Sequence, residues 1–585
     1  MKTKLLLTLL LYGTLTISNA QITIPEVKPT KFDLKSDNFL NTNKNIQELQ
    51  NIPYPIIFIH GLNSNSKVWV DFGLRLVNGE GLTYGGRIDF SLNDDNNNST
   101  SNKNLYPTTG ADIALFTNPA TDITVGDFYF LNFDINNVGN LYPSDDGSPY
   151  NDMLSNESAI AKQGVALNIA IQIVLQKTGK DKVIIMGHSM GGLFGREYIQ
   201  NPSIWTEPYV NHHIAKLVTT GTPHGGFTGI NLSPTIDSKS EAYRDLKKSY
   251  VVSNSDGVYL FGGIENYQTM NNNYLYNFYN VDVNCNGIDE DNTNIIGLNQ
   301  KAWITNIDYS FIVGMCSNCN SDYPGMPGDG IVKDVNADLS YYTSAIPLPI
   351  NKFVYTADAI NPVFGLHSDL PKANTLNFQG LDEPNEYNIA YGVEFGKTYK
   401  GFITQQPDGG YPYDYDDYKF SVTSNSQVSV LINNTFSNPI YARIINSNNF
   451  QEGQELTVNS GSNTLTLNLS AGLYYLEIYT TATSTSYLYP YTFTLSSTLS
   501  NPDFTSADSL KIYPNPTSSK VFFDNSIEKF ETATVINYLG QVVGETRFSA
   551  FEANQEVDLS SFASGVYLVK FTNKDKSITH KIVKE

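Results

Sequence analysis

The spacing of hydrophobic residues changes character near residue 385 and divides the chain into two parts. Before that point, short uninterrupted apolar runs alternate with longer segments of helical periodicity. Such runs are typical of strands that are buried on both faces of a parallel sheet. They lie at residues 56–59, 128–133, 183–186, 214–220, 309–314 and 353–356. The alternation predicts an α/β domain with a mostly parallel sheet over residues 51–380.

One long helix is predicted within this domain. Between residues 155 and 177, apolar side chains recur at helical spacing. Ser155 or Ser158 is the expected N-cap, and Gly179 is expected to end the helix.

Three segments lack such periodicity. Residues 21–50 form a polar lead-in, and residues 84–126 are rich in Asn, Asp and Thr, so we expect a surface insertion there. A second insertion is predicted over residues 225–305, which are rich in Asn, Tyr and Gly and occupy a position suited to a lid.

After residue 385 the pattern is all-β. Short strands of alternating hydrophobicity are separated by Gly, Asn and Ser turns, which predicts a β-sandwich over residues 385–498. A linker over 500–508 leads to a second all-β domain at 509–585.

The first twenty residues have the features of a secretory signal peptide. Lys2 and Lys4 form a basic start, Leu5–Leu11 is apolar, and Ser18-Asn19-Ala20 offers small residues for cleavage before Gln21. The apolar run is shorter than the roughly 20 residues that a membrane-spanning helix needs, and no later stretch is long enough. We therefore expect a protein that is secreted or displayed at the cell surface.

Composition narrows the possible partners and the role of the cysteines. The chain has 585 residues and a formal net charge of −21, without a basic block, which argues against nucleic acid as a partner. Its three cysteines allow one internal disulfide, which Cys285, Cys316 and Cys319 could form in any pairing. We expect a structural bridge, because no thioredoxin-like context surrounds them.

The strongest chemical signal is Gly187-His188-Ser189-Met190-Gly191, between a buried strand and a helical segment. In a nucleophile elbow, a sharp strand-to-helix turn exposes the serine hydroxyl, and only glycines tolerate the crowding around it. Ser189 is therefore the predicted nucleophile.

A serine nucleophile needs a histidine base and an acid, which follow it in the order Ser, acid, His in this type of site. Chain order and domain position eliminate six of the seven histidines and leave His367. Asp329 is the preferred acid, because Gly328 and Gly330 permit a tight exposed turn after a late strand. Its expected task is to orient His367. The alternatives are Asp322, Asp334 and Asp358.

Two backbone N–H groups are needed to bind the oxyanion of an acyl-transfer reaction. Met190, directly after the nucleophile, supplies one. Leu62, in the loop after the first strand, is predicted to supply the other, with His60 shaping that loop.

Three segments together resemble the triacylglycerol lipases and the related inositol-deacylase-like hydrolases. They are FIHGL at 58–62, GHSMGGL at 187–193 and TTGTPHGG at 219–226, and GDGIV and LHSDL resemble the acid and histidine segments of that family. The resemblance covers roughly residues 52–375 and implies an α/β-hydrolase fold, with His224 in a structural loop near the pocket. The insertions at 84–126 and 225–305 depart from the family pattern.

Both all-β domains also resemble known modules. The 385–498 region, with DDYKF and LSAGLYY, is similar to the bacterial pre-peptidase C-terminal β-sandwich. The 509–585 region, with LKIYPNPT, NYLGQ, GVYL and KIVKE, resembles the C-terminal sorting domain of the type IX secretion system. That likeness implies the type IX machinery as a partner and removal of the tail.

A possible calcium site lies inside the second insertion. Oxygen-bearing side chains alternate around Gly287, as in a loop that turns around Ca²⁺. The candidate ligands are Asp282, Asn284, Asn286 and Asp289. Thr293 stands where an EF-hand has its bidentate Glu, so a solvated acidic loop is the alternative.

The sequence therefore predicts a secreted serine hydrolase that cleaves carboxylic esters, a lipase or esterase acting on an ester or lipid substrate through an acyl-enzyme. No cofactor is required, and any Ca²⁺ is structural. The alternative function is a surface adhesin or glycan-binding protein in which the hydrolase domain is a non-catalytic scaffold.

Overall fold

The structure is a computed structural model. It describes residues 52–62, 64–92, 113–133, 158–205, 211–226, 241–246, 260, 297–316, 328–343, 350–357, 365–404, 413–481, 489–499, 510–526, 529–537, 539–548, 553–573 and 577–585. The predicted signal peptide, the lead-in segment and the calcium loop lie outside these ranges. Residues up to 498 form one compact unit and residues from 499 onward form a second.

An eight-stranded sheet organises the first unit. Its strands are β1 Ile56–Ile59, β2 Tyr84–Leu92, β3 Ile113–Leu115, β4 Phe128–Asn132, β5 Val183–His188, β6 Ile214–Thr220, β7 Asp308–Cys316 and β8 Ile350–Ala357. The spatial order is β3-β2-β4-β1-β5-β6-β7-β8. All neighbours pair in parallel except β2 and β3. The predicted α/β domain with a mostly parallel sheet is confirmed.

Helices join and cover these strands. The α-helices are α1 Val70–Asn78, α2 Ile160–Thr178, α3 Gly191–Gln200, α4 Glu241–Leu246, α5 Asp334–Ala337, α6 Ser340–Thr343 and α7 Asn374–Leu381. Among the described residues, short 3-10 helices lie at Ser66–Trp69, Pro202–Ile204, Leu298–Gln300, His367–Lys372 and Tyr387–Ile389.

Helix α2 begins differently from the sequence prediction. Its N-cap is Ala159, not a serine, and the first N–H of the helix, that of Ile160, donates to the Asp245 carboxylate of α4 at 2.9 Å. A carboxylate suits the positive end of a helix. Gly179 ends α2 in the left-handed conformation, with φ 68°, as predicted.

The expectation of a surface insertion at 84–126 is wrong for the two strands in that segment, while residues 118–122 are exposed or half-buried. Residues 84–92 and 113–115 are sheet strands, and the residues of both are almost all buried. The polar side chains of this segment led to the expectation that it is exposed to solvent. In the structure these side chains bond to one another inside the protein. The Arg87 Nε donates to Asp89 at 2.9 Å, and Asn132 donates to the same carboxylate at 2.7 Å. The residues of a buried polar network therefore gave this segment a sequence pattern that is typical of a loop.

The predicted β-sandwich follows in the same compact unit. Its strands are β9 Tyr391–Gly392, β10 Thr398–Ile403, β11 Tyr415–Val422, β12 Ser426–Asn434, β13 Ile440–Asn446, β14 Gln451–Val458, β15 Gly461–Leu469, β16 Gly472–Tyr479 and β17 Tyr489–Leu499. They form a four-stranded sheet, β10-β17-β12-β15, and a five-stranded sheet, β14-β13-β16-β11-β9.

The sandwich shares a hydrophobic core with the hydrolase sheet. Phe378 of α7 packs on Phe72 of α1, with ring centroids 5.0 Å apart, and on Phe402 of β10, at 5.4 Å. The buried ammonium of Lys216 donates to the Asp382 backbone carbonyl at 2.6 Å. The sequence indicated a separate accessory domain; in the structure the two share one apolar interior.

The second unit is the C-terminal all-β domain. Its strands are β18 Ile512–Tyr513, β19 Lys520–Asp524, β20 Thr532–Ile536, β21 Val542–Arg547, β22 Asn554–Asp558, β23 Gly565–Thr572 and β24 Ser577–Lys584. They form two antiparallel sheets, β18-β19-β22 and β21-β20-β23-β24. In the part of the chain that the structure describes, no helix is long and apolar enough to cross a membrane.

Candidate active site

Ser189 lies in a sharp turn between β5 and α3. Its φ is 54°, a left-handed conformation that costs free energy for a residue with a Cβ. Glycines on both sides make the turn possible. A Cβ on Gly187 would lie 2.5 Å from the Gly192 backbone, and one on Gly191 would lie 2.5 Å from the His60 carbonyl. The predicted elbow geometry is therefore present around Ser189.

Asp329 and His367 form a hydrogen-bonded pair. The His367 Nδ1 lies 2.8 Å from the Asp329 Oδ2, and the His367 N–H donates to the Asp329 carbonyl at 3.0 Å. The other carboxylate oxygen accepts from the N–H groups of Ile331 and Val332, at 3.0 and 2.7 Å. These bonds fix the carboxylate in its turn and hold the imidazole through Nδ1, so Nε2 is the ring nitrogen that does not face Asp329.

The turn after β6 links this pair to Ser189. The Ser189 N–H donates to the Thr220 carbonyl at 2.9 Å. The next residue, Gly221, has φ 57°, and a Cβ there would lie 3.0 Å from the Asp329 Oδ2 and 3.1 Å from the His367 Nδ1. The structure thus brings the three predicted triad residues to one edge of the sheet.

The loop after β1 lies directly against Ser189. A Cβ on Gly61 would lie 2.5 Å from the Ser189 Cβ and 3.0 Å from its hydroxyl oxygen. Of the two predicted oxyanion residues, the buried Met190 directly follows Ser189 in the chain. Leu62 follows Gly61, the residue that lies against Ser189.

His60 fixes this loop as a neutral imidazole. Its Nδ1 donates to the Gly61 carbonyl at 2.9 Å, and its Nε2 accepts from the Phe133 N–H at 2.9 Å. Complete burial lowers the pKa of His60 to about 4, so the ring stays uncharged at neutral pH. The expected loop-shaping role agrees with these contacts.

His188 contributes to the site in a way that sequence reasoning missed. Its Nε2 donates to the His367 carbonyl at 2.8 Å, and the two rings pack with centroids 4.8 Å apart. Burial lowers the pKa of His188 well below its ordinary value, and the nearby His367 lowers it further. Chain order excluded His188 as the base, and the sequence contains no signal that it would hold the backbone of His367.

His224 lies in a buried network behind the site. The Arg196 Nη1 donates to the His224 Nδ1 at 3.3 Å, and the His224 Nε2 then donates to the Thr219 hydroxyl at 3.0 Å. The Asn299 amide donates to the His224 carbonyl at 2.9 Å, and its Oδ1 accepts from the Arg196 Nη2 at 2.7 Å. Burial and the charge of Arg196 lower the pKa of His224 well below its usual value. These contacts agree with the structural role that the resemblance implies.

The structure describes one of the three competing acids. Asp334 begins α5 and accepts from the Val335 N–H, while Asp322 and Asp358 lie outside the described residues. Cys316 is disulfide-bonded, as expected, and both possible partners lie outside the described ranges.

The calcium ligands predicted in the second insertion, Asp282, Asn284, Asn286 and Asp289, also lie outside the described residues. Within the described ranges, one group of acids has the geometry to hold a cation. Carboxylate oxygens of Asp382, Asp414 and Asp416 lie within 4.8 Å of one another, and all three residues are buried.

The parallel sheet and the strand-turn-helix geometry around residue 189 define an α/β hydrolase. Residues 52–269 match the family described as PGAP1-like alpha/beta domain, and residues 511–585 match the secretion system C-terminal sorting domain. The chain therefore combines a hydrolase-family domain with a type IX sorting domain, which directs it to the cell surface or the exterior. No curated protein sequence matches the chain.

Several solved structures are similar to parts of the chain. The product of gene lin2722 of Listeria innocua is 14% identical, with 57% of this chain and 95% of that one covered and a TM-score of 0.31. A carboxylesterase structure of Nitrososphaera gargenis is 12% identical, with 54% and 84% covered and a TM-score of 0.22. The pre-peptidase C-terminal domain of Bacillus anthracis collagenase is 19% identical, with 20% and 99% covered and a TM-score of 0.16.

Proposed function

We propose that this protein is an exported serine hydrolase that cleaves carboxylic esters, with lipid esters as the main substrate class. The observation that carries the proposal is the 2.8 Å contact between His367 and Asp329, beside the turn that accepts the N–H of the strained Ser189. The PGAP1-like match and the lipase-like motifs of the sequence support a lipid-linked ester.

In the proposed reaction, the Ser189 hydroxyl oxygen attacks the ester carbonyl while His367 Nε2 takes the hydroxyl proton. Asp329 holds the His367 tautomer and stabilises the imidazolium without taking the proton. The N–H groups of Leu62 and Met190 bind the oxyanion, and the positive end of α3 favours the same charge. The imidazolium returns the proton to the leaving alcohol, and water then hydrolyses the acyl-enzyme by the same route. Protein groups alone supply this chemistry.

The test is hydrolysis of p-nitrophenyl esters of increasing acyl length, with and without a detergent interface. Ser189→Ala is expected to lower kcat by about 10⁴-fold or more. Ser368→Ala is the matched control, because Ser368 is exposed and adjacent to His367. Labelling by a fluorophosphonate at Ser189 in the unsubstituted protein is also expected. Full activity of Ser189→Ala, or no labelling, would leave the non-catalytic scaffold as the better account.

We also propose that the signal peptide and the C-terminal sorting domain are removed during export. We expect the secreted protein to begin at Gln21 and to lack the sorting domain at 509–585. N-terminal sequencing and intact mass of the secreted protein measure this. A mature protein that retains residues 1–20 would contradict the proposed signal peptide.

A further inference from the structure

The five-stranded sheet of the β-sandwich carries a cleft on its outer face. The cavity has a volume of about 610 Å³, within the range typical of ligand sites. The Tyr418 hydroxyl lies 2.8 Å from that of Tyr491 on the four-stranded sheet, so Tyr418 faces the sandwich interior. Its neighbour on β11, Asp417, therefore faces outward into the cleft.

Strand register arranges the cleft in rows. Tyr415 of β11 pairs with Tyr479 of β16, which pairs with Tyr441 of β13, and the rings stack with centroids 5.0 and 5.3 Å apart. Two residues along, the next row consists of Asp417, Glu477 and Arg443. A polar floor thus lies beside a wall of stacked tyrosines.

A second aromatic wall borders the other side of this floor. Tyr475 lies two residues before Glu477 on β16 and therefore faces the same side of the sheet. Its ring stacks on that of Tyr387, with centroids 4.9 Å apart, and both line the cleft. The Tyr387 hydroxyl donates to Glu477 at 2.6 Å, which holds this wall against the floor.

One carboxyl oxygen of the floor has no internal partner. Glu477 is satisfied by Arg443 at 2.5 Å and by Tyr387. The Asp417 Oδ1, by contrast, makes no hydrogen bond within the described residues, although only 1% of Asp417 is exposed. A buried polar atom of this kind normally has a partner, and here the residue that carries it lines a cleft.

The protonation state of Asp417 sets what this oxygen can bind. Burial and the negative Glu477 raise the pKa of Asp417 to about 9; Arg443 lowers it and Glu386 raises it. The carboxyl therefore carries its proton at neutral pH and can both donate and accept hydrogen bonds. Arg443 and Glu477 neutralise each other, so the floor suits an uncharged polar ligand.

We propose that this cleft binds a neutral polysaccharide chain, as a second site independent of ester hydrolysis. The ring faces of the lining tyrosines that this stacking leaves uncovered suit the C–H faces of sugar rings, because the face of an aromatic ring is negative. The floor and the amides of Asn388 and Asn449 offer the donors and acceptors that sugar hydroxyls need. Asn388 and Asn449 are exposed, which leaves the cleft open to a chain longer than one sugar.

The test is affinity electrophoresis of the full chain in gels that contain laminarin, xyloglucan, galactomannan or soluble starch. Ser189→Ala is used throughout, so that ester turnover plays no part. Retardation by at least one neutral polysaccharide is expected, with association at least tenfold weaker for Tyr475→Ala and for Asp417→Leu. Tyr341→Ala is the matched control, because this tyrosine is 63% exposed and lies on the hydrolase domain.

A pH series on the unsubstituted cleft covers the case in which a variant fails to fold. Binding is expected to weaken as the pH rises through about 9, where Asp417 loses its proton. Asp417→Asn is expected to bind at neutral pH and to lose this dependence. No retardation by any of the four polysaccharides overturns the proposal, as does retardation only by alginate, a polyanion, or only by gelatin, a polypeptide. Equal retardation of Tyr475→Ala and its parent also overturns it.

Discussion

The imidazole of His188 donates a hydrogen bond to the backbone carbonyl of His367, at 2.8 Å. The residue before the proposed nucleophile thereby holds the main chain of the proposed base. The His367 side chain is fixed by Asp329 and its backbone by His188, so one histidine is positioned from two directions.

Loss of this backbone contact is expected to slow the chemical step. His188→Ala removes the donor and the ring on which His367 packs, and we expect kcat for a p-nitrophenyl ester to fall about 10- to 100-fold with little change in KM. His188→Gln retains an N–H donor and is expected to recover part of the loss. His212→Ala is the control, since His212 bonds to Asn306 outside the site. An unchanged kcat for His188→Ala would show that the contact has no positioning role.

Neutralising the acid tests its orienting role. Asp329→Asn is nearly isosteric, but its amide no longer selects the productive tautomer of His367, and we expect kcat to fall by about 10⁴-fold. Asp334→Asn, in the same segment, is expected to retain activity. Steady-state kinetics measure both variants. If Asp334→Asn lost activity and Asp329→Asn did not, the acid would have been wrongly assigned.

Gly221→Ala is expected to lower the catalytic activity more than the stability of the fold. Its φ of 57° makes any Cβ unfavourable by about 1–2 kcal/mol, and this Cβ would also approach Asp329 and His367 to about 3 Å. Gly179→Ala is a matched control, because Gly179 has φ 68° but no atom within 4 Å of the added Cβ. In urea, Gly179→Ala should lose only the stability that its positive φ costs and Gly221→Ala should lose more, while only Gly221→Ala loses most of its kcat. Equal activity of the two would argue against a tightly packed triad.

Buried acids of the β-sandwich predict a stability that falls as the pH rises. Burial raises the pKa of Glu383 from 4.5 to about 8 and that of Asp417 from 3.8 to about 9. A carboxyl with a raised folded pKa stabilises the fold fully below its unfolded pKa, and the contribution is lost as the pH rises through the folded pKa. The urea midpoint is therefore expected to decrease between about pH 4.5 and 9. Asp417→Asn should flatten this slope, and a midpoint that rises with pH would contradict the assignment.

Sequence reasoning succeeded where a local pattern determines the backbone. Apolar runs identified six strands of the parallel sheet, and the glycines around Ser189 and Asp329 indicated the two tight turns. Gly328 and Gly330 indeed have positive φ values, 151° and 92°. Chain order and domain position together predicted His367 as the base, and the structure pairs it with Asp329.

The failures share a physical cause, because periodicity reports which face of a segment is buried but not which partner covers it. The strand at 84–92 appeared polar since Arg87 and Asp89 bond inside the protein. His188 appeared irrelevant since its partner lies 179 residues away in the chain. The Asp245 carboxylate that accepts from the first N–H of α2 belongs to another helix, so the local sequence of α2 does not predict this contact.

The common core of the sheet and the β-sandwich has a practical consequence for dissecting the protein. A truncation at 385 would leave Phe378 without Phe402 and expose an apolar surface that the intact chain covers. Expression of the hydrolase-family domain is better ended near 498, where the compact unit ends. The same dependence restrains domain shuffling, because the sandwich cannot be exchanged for another module unless α1 and α7 change with it.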